Sequence, residues 1–344
     1  CVNERIFAGC KMSSGRVVYM NGTFVPEAEA QISIYDSALM FGDMVFEMTR
    51  SFNKKQFKLR EHLERLYAGI KILRIPLKMS IEEMEKACHD TIEKNDTFFD
   101  PHDEHRLMIN VSRGPLGIYA PIFGGKTEPT VCIADFPLKW TVQNCSHLYD
   151  HGLNLCITSQ RAIPAHLMDP KIKNRSRLFY LMANIEVSMM KGNDNWALLL
   201  DTNGFIAEGT GSNFFMIKDN TIFTPEHRDI LRGISMNTVI NDLAPALGLN
   251  VIKKNIEPFD VYEADEVFLT STPFCILPAV KLNRLSIGDG NPGKITKKLI
   301  KAWSDLVGVD IVKQIKSWDE KNKTGTTPYK FADNNTLTMD IEGN

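Results

Sequence analysis

The chain of 344 residues carries a formal net charge of −2, with 43% hydrophobic and 24% charged residues. These fractions are those of an ordinary globular protein, and the near-neutral charge excludes broad binding to a nucleic-acid backbone, which needs a surplus of Lys and Arg. No apolar run approaches the roughly 20 residues that span a bilayer, so we expect no membrane segment. The length exceeds one typical core, which favours two domains or one large α/β unit.

The spacing of the cysteines and histidines argues against a disulfide-stabilised protein and against a zinc-binding protein. The seven cysteines form no CxxC pair, and their odd number closes no complete disulfide framework. We therefore expect free thiols and a cytoplasmic location. The eight histidines lack zinc-ligand spacing, because the closest approach, HDEH at residues 102–105, fits a polar loop better. A metal site is not expected.

The first part of the chain predicts a small α/β domain over residues 18–138. Asn21-Gly22 separates two short apolar runs, which is the pattern of a β-hairpin. Apolar residues recur every three or four positions in two segments, predicting helices in REHLERLYAGIKILRI and IEEMEKACHDTIEKN. Two strands follow, in RLMINVSRG and TVCIADFPL. The next segment is polar and aperiodic, so we assign residues 139–149 as an interdomain linker.

The second part predicts a larger domain over residues 150–318. Strands are expected in LNLCITSQ, WALLLD, FIAEG, NFFMIK, TIFTP, EVFLTST and ILPAVKLN. Helices are expected in SRLFYLMANIEVSMMKG, SMNTVINDLAPALG and ITKKLIKAWSDLVG, with a kink at Pro245. The first of these helices carries apolar residues on one side, at Leu178, Leu181, Met182, Ile185 and Met189. The tail, residues 319–344, has weak periodicity and is expected either to be disordered or to lie over the surface.

Two charged motifs in the second domain point to chemistry, although each also has an ordinary structural explanation. The stretch DPKIKNRSRLFY packs four cations into seven positions. It is either a solvated basic face or the site of a lysine whose pKa is lowered by its neighbours, which makes the amine a nucleophile. Glu208, in AEGTGSNFF, is either exposed in a Gly-rich turn or buried against a cationic partner.

Two hydroxyl-rich motifs are candidates for binding an anion. In LRGISMNTVI a glycine precedes Ile234 and Ser235 at a helix start, where free N–H groups cradle phosphate or the serine simply caps the helix. In FLTSTPF a strand ends in Thr270, Ser271 and Thr272, which either hold an anion or close a turn.

The order of these motifs resembles the fold-type IV pyridoxal-phosphate enzymes, which include branched-chain aminotransferases, D-amino-acid aminotransferases and aminodeoxychorismate lyase. The segments YMNGTFVP, DSALMFGDMVFEMTR and FKLREHLERL are also similar to that family, so the resemblance covers about residues 18–285. It implies a two-domain α/β (α+β) fold, with a smaller N-terminal and a larger C-terminal α/β domain and the cofactor between them. It also implies a homodimer.

The resemblance implies a role for each matching residue. Lys173 matches the lysine that forms the internal aldimine with pyridoxal 5′-phosphate (PLP) and moves the α-proton. Glu208 matches the carboxylate that pairs with the pyridine nitrogen, and Arg65 matches the phosphate-binding arginine. The rest of the phosphate cup is assigned to Gly233, Ile234, Ser235 and Thr272. We further hypothesise that the nearby cations Arg175 and Arg177 disfavour the charged form of Lys173.

The implied activity is transfer of an amino group between an apolar, branched-chain-like amino acid and a 2-oxo acid. An aminodeoxychorismate-lyase-like reaction and an amine transaminase on the same scaffold stay open as alternatives. Phe41 stands where branched-chain enzymes usually have tyrosine, and Ser176-Arg177 replaces an Asn-Tyr pair. The carboxylate trap of the D-amino-acid enzymes is not expected, because Ile118 and Ala120 occupy its positions. Candidate substrate residues are Phe41, Phe46, Arg50, Arg113 and Arg177.

Overall fold

The computed structural model describes residues 15–319, and two large sheets hold most of its strands. Strands β1 to β7 are Val17–Met20, Thr23–Pro26, Met44–Met48, Ser51–Phe52, Lys55–Gln56, His105–Ser112 and Thr130–Pro137. Helices α1 to α3 are Ser37–Phe41, Leu59–Ile72 and Ile81–Asn95. Short 3-10 turns occur at Glu27–Glu29, Asp96–Phe98 and Gly117–Phe123. These elements form the first half of the fold.

The first sheet is antiparallel, with the strand order β2-β1-β7-β6-β3. Helices α2 and α3 pack against it, and the core between them is apolar. Strands β4 and β5 form a separate hairpin. Strand β3 lies at the edge of the sheet, so its outer backbone groups are free to pair with another segment.

The second half of the fold has nine strands and eight helices among the described residues. Strands β8 to β16 are Leu153–Arg161, Asn195–Leu200, Ile206–Gly209, Ser212–Lys218, Thr221–Thr224, Val251–Lys253, Glu266–Ser271, Cys275–Leu282 and Leu285–Ser286. Helices α4 to α11 are Lys139–Val142, Leu148–His151, Leu178–Ser188, Ile234–Thr238, Ala244–Ala246, Pro258–Tyr262, Lys294–Val307 and Ile311–Ser317. A 3-10 turn spans Gln143–Cys145, and a π-helical turn spans Val239–Leu243.

The second sheet is mixed, with the strand order β10-β9-β8-β15-β14-β11-β12-β13. Strand β10 pairs with both β9 and β11, so six strands close into a ring. Strand β8 is parallel to both of its neighbours, β9 and β15. Closure fills the interior of the ring with side chains, and it aligns the ends of β10, β11 and β14 at one rim.

The mixed α/β fold class is confirmed, and so are several local predictions. Asn21 and Gly22 have φ values of 47° and 94°, as the tight hairpin between β1 and β2 requires. Helix α3 spans the predicted segment and begins with a capping box in which Ser80 and Glu83 exchange hydrogen bonds. The π-helical turn lies just before Pro245, which lacks the N–H that a regular turn needs.

Two segments differ from their predicted character. Residues 139–149 are not an irregular stretch but short helical turns, because Val142, Cys145 and Leu148 recur at helical spacing and are buried. Helix α6 packs the side that carries Tyr180 and Ala183, so its predicted apolar side faces outward. Both sides of α6 are largely apolar, and sequence periodicity alone therefore could not select the packed one.

Some predictions lie outside the described residues. These are the character of the tail beyond residue 319 and the free thiols of Cys1 and Cys10. The cysteines that the structure describes are all free thiols. Within residues 15–319, every helix is too short or too polar to cross a bilayer.

Candidate active site

A cleft of about 380 Å³ lies where α2 of the first half meets β10, β11, α7 and the end of β14. All seven residues predicted to bind the cofactor line it: Arg65, Lys173, Glu208, Gly233, Ile234, Ser235 and Thr272. Arg177, one of the substrate candidates, lines it as well. The fold therefore brings together residues that are far apart in the sequence.

The edge strand β3 sets the position of Lys173. The Phe46 N–H donates to the Lys173 carbonyl at 3.0 Å, and the Arg175 N–H donates to the Met44 carbonyl at 3.0 Å. The lysine segment thus extends the first sheet by one short antiparallel pairing. Lys173 Nζ lies 4.9 Å from the centroid of the Phe46 ring. A backbone held on both sides fixes where this amine can reach.

The surroundings of Lys173 favour its neutral form. Burial lowers the pKa of Lys173 well below its usual range, and the charge of Arg177 lowers it further. Glu47 acts in the opposite direction but does not prevail. A neutral amine is the form that accepts a proton or attacks a carbonyl carbon. Of the two arginines near Lys173, Arg177 is the one whose charge lowers the pKa of the amine, whereas Arg175 donates through two nitrogens to Asn110 Oδ1, at 3.1 and 2.7 Å.

Glu208 is a buried carboxylate with neutral hydrogen-bond donors. Its side chain on β10 is 4% exposed. Tyr180 Oη donates to Oε1 at 2.6 Å, while Asn213 Nδ2 and the Leu231 N–H donate to Oε2 at 3.2 and 3.1 Å. Burial raises the pKa of Glu208, and these donors oppose the shift. Such a carboxylate suits a ligand that brings a positive charge.

Arg65 is held at the cleft by Glu47, a residue that the sequence did not single out. Arg65 Nε and Nη2 donate to the two oxygens of Glu47 at 2.6 and 2.8 Å, and Nη1 donates to the Arg232 carbonyl at 2.7 Å. His62 Nδ1 lies 2.7 Å from Glu47 Oε2. Although burial raises the pKa of Glu47, Arg65 and His62 hold it well below its usual range. The arginine is thereby fixed in orientation before any ligand binds.

The start of α7 lies at one end of the cleft. Gly233 caps the helix, and a Cβ atom at this position would lie 2.1 Å from Asn213 Oδ1. The backbone N–H groups that follow are free at the helix start, as in other phosphate sites. Thr270 Oγ1, also at the cleft, is buried without a hydrogen-bond partner in the described part of the chain. These groups fit the phosphate of a ligand.

Four of the five substrate candidates, Phe41, Phe46, Arg50 and Arg113, do not line the cleft, which corrects the prediction made for them. Arg50 is buried and donates to the Pro273 carbonyl and to Gln314. Arg113 pairs with Asp43 at 2.7 Å and donates to backbone carbonyls. Phe41 ends α1 and is 66% exposed. The two arginines are committed to internal partners, and the phenylalanine lies outside the cleft that holds Lys173.

The fourth candidate, Phe46, packs beneath basic side chains and does not line an open pocket. Its ring is buried, and three basic side chains lie around it. The amine of Lys173 and the guanidinium groups of Arg175 and Arg177 lie 4.9, 3.7 and 4.9 Å from its centroid. Cations such as the two guanidinium groups are attracted to the face of an aromatic ring.

The model of the family described as "Amino-transferase class IV" matches residues 44–282. The chain belongs to the class-IV aminotransferases. Enzymes of this family use PLP. The cleft of this aminotransferase fits that cofactor on its own geometry, because Glu208 is buried without a cationic partner bonded to it and an anion-binding helix start lies in the same cleft.

Individual relatives are similar over nearly their whole length. The branched-chain-amino-acid aminotransferase of Escherichia coli K12 is 31% identical over 84% of this chain and 92% of its own. The solved branched-chain enzyme of Thermobaculum terrenum in its PLP form has a TM-score of 0.74 and 26% identity, covering 89% of this chain and 98% of its own. The branched-chain aminotransferase of Thermoproteus uzoniensis, solved with norvaline, has a TM-score of 0.73 and 26% identity, covering 88% and 98%.

Sequence reasoning missed three residues that shape the site: Glu47, Tyr180 and Asn213. Asn213 belongs to the quoted motif AEGTGSNFF, so a signal was present without an assigned role. Tyr180 ends the quoted DPKIKNRSRLFY stretch in the same way. Glu47 interrupts the apolar strand MVFEM, and a charge at a buried strand position is itself a sign of a partner. In each case the partner is known only once the chain is folded.

Proposed function

We propose that this aminotransferase moves amino groups between an apolar, branched-chain-like amino acid and a 2-oxo acid, with Lys173 as the catalytic residue. The observation that carries this proposal is the single cleft that groups Lys173, Glu208 and Arg65 with the start of α7. The substrate class is supported by the relatives, which are branched-chain enzymes, one of them solved with the apolar amino acid norvaline.

The roles of the cleft residues follow from their chemistry. Bound PLP supplies an electron sink next to the substrate α-carbon. The backbone and hydroxyl groups of Ile234, Ser235 and Thr272, together with Gly233 and Arg65, would hold its phosphate. Glu208 would meet the ring nitrogen and keep it protonated, since a buried carboxylate favours a positive partner.

Lys173 carries the proton in this scheme. Its neutral amine would take the α-proton from the bound amino acid and pass it to the cofactor, and in the second half-reaction it would take that proton back and return it to the α-carbon of the new amino acid. Burial and the charge of Arg177 both lower the pKa of Lys173, which favours the uncharged amine at the moment of transfer. The same base thus serves both half-reactions.

The test is a comparison of two lysines from the same loop. We expect Lys173→Ala to abolish transamination and the visible absorbance of the lysine-bound cofactor. Lys171→Ala is the matched control, because Lys171 pairs with Asp169 at 2.7 Å and donates to the Arg228 carbonyl outside the cleft. A wild-type protein that takes up no PLP would refute the proposal.

Substrate panels separate the remaining alternatives. Amino donors are tested against 2-oxoglutarate and pyruvate as acceptors, and we expect the highest kcat/KM for apolar donors such as leucine. Release of pyruvate from a donor without any acceptor would instead indicate a lyase. Higher rates with simple amines than with amino acids would indicate an amine transaminase.

We also propose that the active form is a homodimer. The outward side of α6 exposes Leu178, Met182 and Met189 by 69%, 44% and 71%, and Ser176 joins this region to the exposed Phe41 through a hydrogen bond to its carbonyl. Contiguous exposed apolar surface is typical of an interface. We expect Met182→Asp to shift the mass measured by light scattering from dimer to monomer, whereas Ile72→Asp, at a 61% exposed site on α2, leaves it unchanged. A monomeric wild type would contradict this.

Domain boundaries and location are further proposals. Residues 18–138 and 150–318 are proposed as two domains, supported by two sheets and two separate apolar cores, with residues 139–149 joining them. Limited proteolysis that yields two stable fragments would support this division.

A cytoplasmic location is proposed because buried free thiols such as Cys88 and Cys275 suit a reducing compartment.

A further inference from the structure

Arg177 differs from the neighbouring arginines Arg65 and Arg175 in having free donors in the described part of the chain. Its Nε donates to the Asn174 carbonyl at 2.9 Å, and its guanidinium carbon lies 4.9 Å from the ring centroid of Phe46 and 5.0 Å from that of Tyr180. Within residues 15–319 its two terminal nitrogens make no hydrogen bond. The side chain is therefore supported by two rings while its terminal end stays available.

The neighbouring arginines are already committed. Arg65 forms a two-point ion pair with Glu47, and Arg175 directs two nitrogens to Asn110 Oδ1. Arg177 has no carboxylate partner in the described part of the chain. Its charge interacts with the nearby Glu208 without a direct bond, and its two terminal nitrogens in one plane match the geometry of a carboxylate.

The position of Arg177 next to Lys173 indicates which carboxylate of a substrate it would contact. The amine of Lys173 and the guanidinium of Arg177 each lie 4.9 Å from the centroid of the Phe46 ring. Arg177 is also the neighbouring charge with the largest effect on Lys173. In an amino acid, the carbon that bears the amino group also bears the α-carboxylate. A cation beside Lys173 therefore lies where the α-carboxylate arrives.

We propose that Arg177 binds the α-carboxylate of both the amino-acid and the 2-oxo-acid substrate, and so selects these substrates over simple amines. This inference rests on the proposed transaminase function. It assigns the carboxylate-binding role to the residue that follows Ser176, and it makes Arg113 and Arg50 unnecessary for that role.

The experiment compares two donors that differ only in the carboxylate. Leucine and 3-methylbutylamine share one side chain, and kcat/KM is measured for both across a pH range with the PLP-loaded enzyme. For Arg177→Gln we expect a loss of roughly 10- to 100-fold with leucine, the range for a lost charged hydrogen bond, and little change with the amine. Arg177→Lys should recover part of the loss. Arg175→Gln, on the same ring but bonded to Asn110, should leave the ratio of the two donors unchanged.

A binding measurement makes the result independent of turnover. The probe is 4-methylvalerate, which has the carbon skeleton and carboxylate of leucine without the amino group. Titration of the cofactor absorbance with this acid should give a dissociation constant about tenfold or more higher for Arg177→Gln than for wild type, since the charged contact is lost. The uncharged 4-methylpentanamide should bind both proteins equally.

The possible failures are distinguishable. Equal losses with leucine and with the amine would mean that Arg177 acts on a step common to both donors and not on the carboxylate, and the inference would be overturned; losses that vanish once the pH profiles are aligned would assign that step to the pKa of Lys173. An unchanged 4-methylvalerate dissociation constant would overturn it as well, while leaving the transaminase function intact. A wild-type protein that binds no PLP would overturn both.

Discussion

The cleft is flanked by two buried carboxylates, Glu47 from the first half of the fold and Glu208 from the second. They differ in their partners, because one is bonded to a cation and the other only to neutral donors. Glu47 is 0% exposed and forms a two-point ion pair with Arg65. Glu208 is 4% exposed and receives only neutral donors. The pKa is held low for Glu47 and is raised for Glu208. The charge of Glu47 is paired within the protein itself, whereas we propose that the charge of Glu208 is paired by the ring nitrogen of PLP.

The largest effect expected from this contrast is on stability. Glu47→Gln leaves the partly buried guanidinium of Arg65 without the buried carboxylate that pairs with it, so we expect the free energy of unfolding to fall by about 3 to 5 kcal/mol. Glu208→Gln should leave the stability of the apoprotein unchanged or raise it, because the neutral amide no longer buries an uncompensated charge. Urea denaturation of the two apoprotein variants checks this. Equal losses for both would remove the distinction between the two carboxylates.

A medium effect is expected in the pH dependence of the apoprotein. The folded pKa of Glu208 is raised, so its contribution to stability is present below the ordinary value of 4.5 and is lost as the pH rises through the folded pKa. The folded pKa of Glu47 is lowered, so its contribution is present above 4.5 and is lost only as the pH falls well into the acid range. We expect Glu208→Gln to flatten the decline of unfolding free energy above 4.5, which denaturation at a series of pH values measures. A slope that Glu208→Gln leaves unchanged would assign the titration to another group.

The smallest effect is expected at Tyr180, which donates to Glu208. Tyr180→Phe removes one hydrogen bond, and we expect PLP affinity to fall by roughly tenfold, with the acid limit of binding moved to higher pH. Tyr149→Phe is the matched control, since its hydroxyl donates to the Phe274 carbonyl at 2.7 Å and does not line the cleft. Both variants should lose similar stability, but only the first should lose affinity in a fluorescence titration of the apoprotein with PLP. A similar loss of affinity in both variants would show a general effect of removing a buried hydroxyl.

Much of the fold follows from local pattern. The hairpin at Asn21 and Gly22 and the helix from Ile81 to Asn95 depend on residues within one or two turns of each other, and the sequence predicts both. Helix α6 shows the limit of that reasoning, because apolar residues cover more than one side and only the packed neighbours decide which side is buried. Helix α11 was not predicted for a related reason. It spans only Ile311–Ser317, which is too short for a clear period.

The residues of the site likewise divide into those that the sequence predicted and those that it could not. The cofactor residues between Arg65 and Thr272 were chosen from motifs in the right order, and the structure gathers them around one cleft. The choice of Arg50 and Arg113 as carboxylate ligands failed because a sequence does not show that a guanidinium already has partners, here the Pro273 carbonyl and Asp43.

The sequence by itself determined most of the longer elements, the order of the motifs and the family, because these depend on residue types and short spacings. Only the tertiary structure decided which charges are paired and which remain available, since Glu47, Glu208 and Arg177 meet their neighbours through the docking of β3, β10 and the lysine segment. The electrostatics of a buried group are set by the atoms within a few ångströms of it, and those atoms come from distant parts of the chain.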